Sequence, residues 1–227
     1  MAGVASSSTV LKARRAQPGA TEPFAPAPLD EIVSTIRETQ PAVVFAPHVE
    51  TSAGLMLPDG HLKAIADAVH AHEGLFVLDC VASGAMWVDM AETGVDVLIS
   101  APQKGWSSTP CAGLVMLSPR ALARLAETSS NSFALDLKKW RAIMEAYEKG
   151  GHAYHATMPT DAIVGFHDAM AETQAMGFEV AKAAQWALGR AVRALLAEKG
   201  VPSVAAEGFQ APGVVVSFTL DPEVQNG

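Results

Sequence analysis

Apolar and polar positions along the chain follow a helical period and a strand period in turn from Leu29 onward. Acidic residues in a first turn, proline near a helix start and glycine after a helix end mark several boundaries. The elements predicted for the first half are helices at 29–40, 58–74 and 88–93 and strands at 42–46, 75–79 and 95–100. This alternation is typical of a three-layer αβα fold with a mostly parallel sheet.

The apolar run at 112–117 predicts a strand of opposite direction. Only residues 101–111 separate it from the strand at 95–100, and that is short for the crossover that a parallel pair requires. We therefore predict a mixed sheet. The elements predicted after it are helices at about 118–127, 135–148, 160–174 and 177–199 and a strand at 213–219.

Composition and charge narrow the class of protein. Of the 227 residues, 49% are hydrophobic and 18% are charged, which provides enough apolar material for a sizeable core. The net charge of −8 and the scattered Lys and Arg residues argue against a nucleic-acid partner or an anionic membrane surface. Cys80 and Cys111 lack a paired spacing, so neither a disulfide framework nor a zinc site is predicted. Without a long apolar run or a signal-peptide pattern, we expect a soluble cytoplasmic protein.

Polar side chains follow three of the predicted strands. Thr51 comes after the strand at 42–46, Asp79 closes the strand at 75–79, and Lys104 follows the strand at 95–100. Ligands of doubly wound sheets bind beyond the carboxyl ends of the strands, so we expect these three residues to converge. Asp79 and Lys104 could form a buried ion pair, or they could hold the two ends of a pyridoxal phosphate ring.

Four segments, in this order and at these separations, resemble the class V aminotransferases: HVETSAG, FVLDCVASGAMWVD, SAPQKGW and YHATMP. The resemblance covers roughly residues 29–220 and is greatest to the alanine–glyoxylate and serine–pyruvate aminotransferase group. It implies a pyridoxal phosphate enzyme with the large-domain fold of the aspartate aminotransferase type. The implied reaction moves an amino group between alanine or serine and glyoxylate or pyruvate.

The resemblance also implies the roles of individual residues. Lys104 would be the Schiff-base lysine, and Asp79 would be the partner of the pyridine nitrogen. Thr51 would lie near the phenolic oxygen of the cofactor, and Gln103 would make a polar contact, expected to be with the phosphate. No residue is expected to bind a metal.

Tyr154 and Thr157 match the tyrosine and threonine that, in this family, reach the phosphate of the neighbouring subunit. The resemblance therefore implies a homodimer with shared active sites. Considered without the family, the same two residues would be a tyrosine at a helix entry and an ordinary helix N-cap. Both interpretations stay open at the level of sequence.

The chain also departs from the family at both ends. We expect residues 1–28 to be an extended or poorly ordered remnant, 29–200 to be a partial cofactor-binding domain and 201–227 to be the start of a truncated small domain. The glycine-rich phosphate turn, the aromatic residue that stacks on the ring and the carboxylate-binding arginine are not visible. A non-catalytic fragment is therefore an alternative, as is a class V lyase or desulfurase, which would need a mobile catalytic cysteine.

Four residues near these motifs have simpler interpretations. His48 and Glu50 are more typical of loop hydrogen bonds than of a metal site, because no third ligand is apparent. Ser83 is predicted to orient its loop, since no G-x-S-x-G motif surrounds it. Trp106 could shape a substrate pocket or pack against the sheet.

Overall fold

The computed structural model describes residues 8–19, 21–219 and 221. Its strands are β1 Arg14–Arg15, β2 Phe24–Ala25, β3 Val43–Pro47, β4 Val49–Glu50, β5 Leu55–Met56, β6 Leu75–Asp79, β7 Val97–Ser100 and β8 Leu114–Leu117. Its helices are α1 Leu29–Thr39, α2 Asp59–His70, α3 Met90–Thr93, α4 Pro119–Glu127, α5 Leu137–Glu148, α6 Thr160–Met176 and α7 Phe178–Glu198. Within the described ranges, no helix is long and apolar enough to cross a membrane.

The main sheet has four strands in the order β3-β6-β7-β8. β3 and β6 are parallel, β6 and β7 are parallel, and β8 runs antiparallel to β7. The sheet is therefore mixed and mostly parallel, as predicted, and the short connection before β8 does reverse the chain. Asp79, the last residue of β6, is in register with Pro47 of β3 and Ile99 of β7.

Helices α1 and α2 cover one face of this sheet. Phe76 and Leu78 of β6 point into that layer and are fully buried, together with Leu62 and Val69 of α2. Burial of side chains of this size stabilises a fold by about 1.5–3 kcal/mol each. The core therefore lies between α1, α2 and the two middle strands, and it fixes the ends of those strands in space.

A buried carboxylate fixes the amino end of β7. Asp96 is 2% exposed, and its Oδ2 accepts a hydrogen bond from the Phe76 N–H at 2.9 Å and lies 2.8 Å from His70 Nε2. Its Oδ1 accepts a hydrogen bond from the Ser118 hydroxyl at 2.9 Å. Arg120 Nε lies 3.8 Å from the same oxygen. One side chain thus joins α2, β6, β7 and the start of α4, and this role is not apparent from the sequence.

The predicted strand at 213–219 is wrong. Ser217 forms an isolated antiparallel bridge with Ser203, and the rest of the described segment belongs to no strand. The Val204 N–H donates to the Val216 carbonyl at 2.9 Å. The apolar run has a short irregular partner instead of a sheet edge, so its β-propensity produces a single bridge and no ladder.

The segment before α1 also pairs with this C-terminal region. β1 and β2 form a two-residue antiparallel ladder. The Phe24 N–H donates to the Val204 carbonyl at 2.7 Å, and the Ala206 N–H donates to the Phe24 carbonyl at 2.8 Å. Residues far apart in sequence thus hold each other at the same edge of the molecule.

The Asp96 contacts predict a large stability effect. Asp96→Ala should lower the free energy of unfolding by about 3–5 kcal/mol, because it leaves the buried Phe76 N–H and the half-buried Ser118 hydroxyl without their acceptor. Urea unfolding followed by circular dichroism measures the loss. Asp67→Ala is the control, since it removes an exposed carboxylate 3.0 Å from Lys63 and should cost at most about 1 kcal/mol. Equal losses in the two variants would contradict the assignment.

Candidate active site

A cleft of about 670 Å³ opens beside the carboxyl ends of β3 and β6 and the loop that follows β7. Thr51, Asp79 and Lys104 all line it. The sequence prediction that these three residues converge is therefore confirmed in the structure. No ion pair joins Asp79 and Lys104 among the described residues, although both line the same cleft.

Asp79 is held by both its backbone and its side chain. Its carbonyl accepts a hydrogen bond from the His48 N–H at 2.8 Å. Its Oδ1 accepts a hydrogen bond from the Val81 N–H at 2.9 Å. The carboxylate is half-buried, and with one oxygen fixed by the chain it can present the other toward the cleft.

The loop that carries Lys104 is anchored on both sides of the lysine. Pro102 is almost completely buried, and its carbonyl accepts a hydrogen bond from the Ser108 N–H at 3.1 Å. The Lys104 carbonyl accepts a hydrogen bond from the Ser107 N–H at 3.0 Å, which closes a tight turn. The Lys104 side chain is exposed. An exposed amine on a fixed turn is accessible to a reagent entering the cleft.

Two glycines allow the lysine loop to meet the loop after β6. A Cβ atom on Gly105 would lie 2.5 Å from the Gly84 carbonyl oxygen, a distance that real side chains do not tolerate. Gly84 itself has a φ of +62°, which favours glycine. The loops that follow Asp79 and precede Trp106 therefore pack backbone to backbone, and this contact places the lysine and the carboxylate at one cleft.

Trp106 packs in an aromatic cluster instead of lining the cleft. Its ring centroid lies 5.0 Å from that of Trp87, 5.8 Å from that of Phe166 and 6.4 Å from that of Phe178. The Trp87 indole N–H donates to the Phe178 carbonyl at 3.0 Å. The cluster attaches the lysine loop to α6 and α7. The aromatic contacts of Trp106 are thus with two helices and the Trp87 loop, which is neither of the two roles predicted for it, in the substrate pocket or against the sheet.

Glu50 shapes the turn that presents Thr51. Its Oε2 accepts hydrogen bonds from the Ser52 hydroxyl at 2.7 Å and the Ala53 N–H at 3.0 Å, and its Oε1 accepts one from the Ser52 N–H at 3.1 Å. The carboxylate thus satisfies the donors of the turn, while Thr51 stays exposed beside the cleft. The loop hydrogen bonds predicted for Glu50 are thus confirmed.

Helix α7 supplies a wall of the cleft that sequence reasoning missed. Gln185 Oε1 accepts a hydrogen bond from the Ala85 N–H at 2.8 Å, and the same side chain lies against Gly213. Arg193 Nη2 donates to the carbonyls of Ala211 at 2.6 Å and Val214 at 3.1 Å. The residues that these hydrogen bonds join are 18 to 100 positions apart in the sequence, so no local sequence pattern predicts them.

The remaining predicted site residues do not line the cleft. Gln103 is exposed beside Lys104. The Tyr154 side chain is 79% exposed, and its hydroxyl lies 3.1 Å from Thr157 Oγ1. Helix α6 begins at Thr160 after Pro159, so Thr157 is not its N-cap. The alternative role of an ordinary cap is therefore wrong for Thr157.

Behind Asp79 lies a buried polar pair, His48 and Ser83. His48 Nδ1 and Ser83 Oγ are 2.7 Å apart, and both residues are 3% exposed. Burial lowers the pKa of His48 to about 4, against a smaller opposing effect of Asp59. His48 is therefore a neutral hydrogen-bonding residue, as the sequence suggested.

Cys80 lies next to this pair, and its thiol is unreactive. Burial raises the pKa of the Cys80 thiol to about 12, the Ser83 hydrogen bond acts in the opposite direction, and the charge of Asp79 adds a further increase. A thiol with such a pKa is not a nucleophile near neutral pH. This argues against the desulfurase alternative for Cys80.

The family model for class V aminotransferases matches residues 21–223. The chain belongs to the class V aminotransferase family. Members of this family are pyridoxal phosphate enzymes. The amine, the carboxylate and the hydroxyl at the cleft suit an aldehyde, a pyridine nitrogen and a phenolic oxygen, so the residues present fit this cofactor.

Three curated relatives illustrate the range of the family. The chain is 28% identical over 207 residues to the soluble hydrogenase small subunit of Synechococcus sp. (strain PCC 6716), covering 90% of this chain and 52% of the relative. It is 27% identical over 168 residues to alanine–glyoxylate aminotransferase of Oryctolagus cuniculus, covering 73% of this chain and 42% of the relative. It is 32% identical over 188 residues to 2-aminoethylphosphonate–pyruvate transaminase of Burkholderia ambifaria (strain MC40-6), covering 80% of this chain and 47% of the relative. The chain thus spans about half the length of these relatives.

A solved structure confirms the fold class. The chain superposes on alanine–glyoxylate aminotransferase from Nostoc sp. with a TM-score of 0.79 and 21% sequence identity. The match covers 86% of this chain and 51% of the other. The α/β fold with a mixed, mostly parallel sheet flanked by helices is therefore that of the pyridoxal phosphate transferases.

The lowered pKa of His48 predicts a pH dependence of stability. The unfolded chain protonates His48 below its ordinary pKa of 6.5, whereas the folded chain resists protonation down to about 4. Stability should therefore fall between these two pH values as the pH is lowered, by about 3 kcal/mol for this group. Urea unfolding at a series of pH values measures it. His48→Asn should show a correspondingly flatter dependence, while His61, whose pKa burial also lowers, is present in both proteins. Parallel curves would refute the assignment.

Proposed function

We propose that this chain carries the cofactor-binding site of a pyridoxal phosphate-dependent aminotransferase. The observation that carries the proposal is that Lys104 and Asp79 line one cleft without pairing with each other. Two opposite charges at such a cleft would ordinarily attract, and an unpaired arrangement leaves room for a ring between them. The membership of the chain in the class V family supports the same assignment.

Each predicted cofactor-binding residue has a defined task in this proposal. Lys104 would bond to the aldehyde carbon of the cofactor, and the Asp79 carboxylate would accept a hydrogen bond from the protonated pyridine nitrogen. Thr51 would donate to the phenolic oxygen, and Gln103 would contact the phosphate. When bound, the cofactor supplies the electron-accepting ring that makes the α-proton of an amino acid removable.

Lys104 would also move the proton. In transamination its Nζ would act as the base that takes the α-proton of the amino acid and returns that proton to the former aldehyde carbon of the cofactor. It is the one amine among the described residues that line the cleft. Asp79 would keep the positive charge on the pyridine nitrogen during this step, because a nearby carboxylate favours the protonated form.

The proposed substrates are a small amino acid, alanine or serine, and a 2-oxo acid, glyoxylate or pyruvate. The name of the rabbit relative supports this choice. The Burkholderia relative is 32% identical and carries the name of a 2-aminoethylphosphonate transaminase, so a phosphonate donor is the second candidate. The third alternative is a chain that binds the cofactor without transferring amino groups.

One labelling experiment tests both the cofactor site and the reaction. Incubation with pyridoxal phosphate followed by borohydride should attach the cofactor covalently to Lys104, which peptide mass spectrometry locates. Lys104→Ala should lose at least about 90% of the label, since the nucleophilic amine is gone. Lys149→Ala, which removes an exposed amine 3.9 Å from Glu145, should keep it. A label spread over other lysines would contradict the assignment.

The same assay distinguishes the donors. Preincubation with an active donor should deplete the Lys104 label, because gaining its amino group converts the aldehyde into an amine that lysine cannot bond. Depletion by alanine or serine, reversed by glyoxylate or pyruvate, supports the first choice. Depletion by 2-aminoethylphosphonate alone supports the second. A label that no donor removes identifies the chain as non-catalytic.

We also propose that two chains share each site through Tyr154 and Thr157. Their exposed hydroxyls lie close together and do not line their own chain's cleft, as a contribution to a neighbour requires. In a mixed dimer with one Lys104→Ala subunit, only the other subunit can be labelled. Tyr154→Phe on the Lys104→Ala subunit should weaken cofactor binding at the labelled site by about tenfold to a hundredfold, through loss of a hydrogen bond to a charged phosphate.

The reciprocal dimer is the matched control for this experiment. With Tyr154→Phe on the subunit that owns Lys104, the labelled site should bind cofactor as in the wild type. Two affinity tags of different kinds isolate each mixed dimer before labelling. Weakening that follows the subunit that owns Lys104 would show that Tyr154 acts within its own chain.

A further inference from the structure

The bond between His48 and Ser83 joins the ends of two strands behind the cleft. His48 directly follows β3, and Ser83 lies in the loop after β6. Their side-chain atoms Nδ1 and Oγ are 2.7 Å apart, and each residue is 3% exposed. A buried polar pair at this separation is a strong hydrogen bond shielded from water, and breaking it leaves a polar atom unsatisfied.

The same two residues hold the backbone on both sides of Asp79. The His48 N–H donates to the Asp79 carbonyl at 2.8 Å. The Ser83 N–H donates to the Cys80 carbonyl at 3.1 Å. The hydrogen bond between the His48 and Ser83 side chains therefore completes a closed set of contacts around the end of β6. The Asp79 side chain projects from the strand between these contacts.

The same closed set of contacts also determines where the lysine loop lies. Ser83 immediately precedes Gly84, whose carbonyl packs directly against Gly105. A shift of the 80–85 loop would therefore displace the neighbouring turn that carries Lys104. It would also break the hydrogen bond that the Val81 N–H donates to Asp79 Oδ1 at 2.9 Å.

We propose that His48 and Ser83 are positioning residues, which orient the Asp79 carboxylate and seat the Lys104 turn through the loop at 80–85. The inference rests on the proposed function for its chemical meaning. One part of it does not depend on the cofactor: the pair holds the hydrogen bond between the Val81 N–H and Asp79 Oδ1 in the protein without ligand. Neither residue lines the cleft, so both act through their neighbours.

Four variants separate positioning from general stability. Ser83→Ala deletes the hydroxyl, and His48→Leu deletes the ring nitrogens. His48→Asn places an amide near the position of Nδ1 and should restore the contact. Thr93→Val is the matched control, because Thr93 is also 3% exposed and its hydroxyl donates to the Asp89 carbonyl at 2.6 Å, away from the cleft.

Two measurements are made on each variant. The first is hydrogen exchange of the Val81 amide in the free protein, followed by NMR. The second is the pyridoxal phosphate concentration that gives half of the maximal borohydride label at Lys104. Ser83→Ala and His48→Leu should speed Val81 exchange and raise that concentration, each by about tenfold, the effect of one hydrogen bond. His48→Asn and Thr93→Val should stay within about threefold of the wild type.

The outcomes distinguish this inference from the proposed function. Unchanged Val81 exchange in Ser83→Ala overturns the inference, whatever the label shows. Faster exchange with an unchanged half-labelling concentration also overturns it, since the pair would then affect only local stability. A wild-type chain that is not labelled at Lys104 overturns the proposed function, and Val81 exchange then still decides whether the pair positions Asp79.

Discussion

The parallel pairing of β6 with β3 and β7 is the constraint on which the rest of this structure depends. Parallel strands end at the same edge of a sheet, so the segments that follow β3, β6 and β7 must meet there. Those segments carry Thr51, Asp79 and Lys104, which all line one cleft. The register of a few main-chain hydrogen bonds thus assembles a carboxylate, an amine and a hydroxyl from three residues spread over more than 50 positions of the chain.

The two ends of the β6–β7 pair treat their carboxylates in opposite ways. At the amino end, Asp96 is buried, and Phe76, Ser118 and His70 all contact its oxygens. At the carboxyl end, Asp79 is half-buried, and its carboxylate accepts one hydrogen bond, from the Val81 backbone N–H. A satisfied buried carboxylate stabilises structure, whereas one with a free oxygen at a cleft can bind a ligand. The same residue type therefore stabilises the structure at one edge and is available to a ligand at the other.

Sequence reasoning was most successful where the deciding pattern is local. Hydrophobic periodicity located β6 and β7, the length of one connection gave the direction of β8, and strand-end polar residues gave the cleft. It failed at 213–219, where an apolar run forms one isolated bridge, between Ser217 and Ser203, instead of joining a sheet. It also missed Gln185 and Arg193, whose partners lie far away in sequence, because helical periodicity marks a face without naming what the face will touch.

The relatives of this chain are named for different amino donors. Overlapping parts of the chain align with proteins named for alanine and for 2-aminoethylphosphonate, over 168 residues at 27% identity and over 188 residues at 32% identity. These two amino donors differ in their acidic group, a carboxylate in one and a phosphonate in the other. The features shared across this stretch therefore cannot be the ones that select the donor's acidic group. Under the proposed function, the Lys104 turn, the Asp79 strand end and the glycine contact between their loops would supply what these reactions have in common, a fixed ring and a base beside it. Selection of the donor must then depend on residues that differ among the relatives or that lie outside the aligned half.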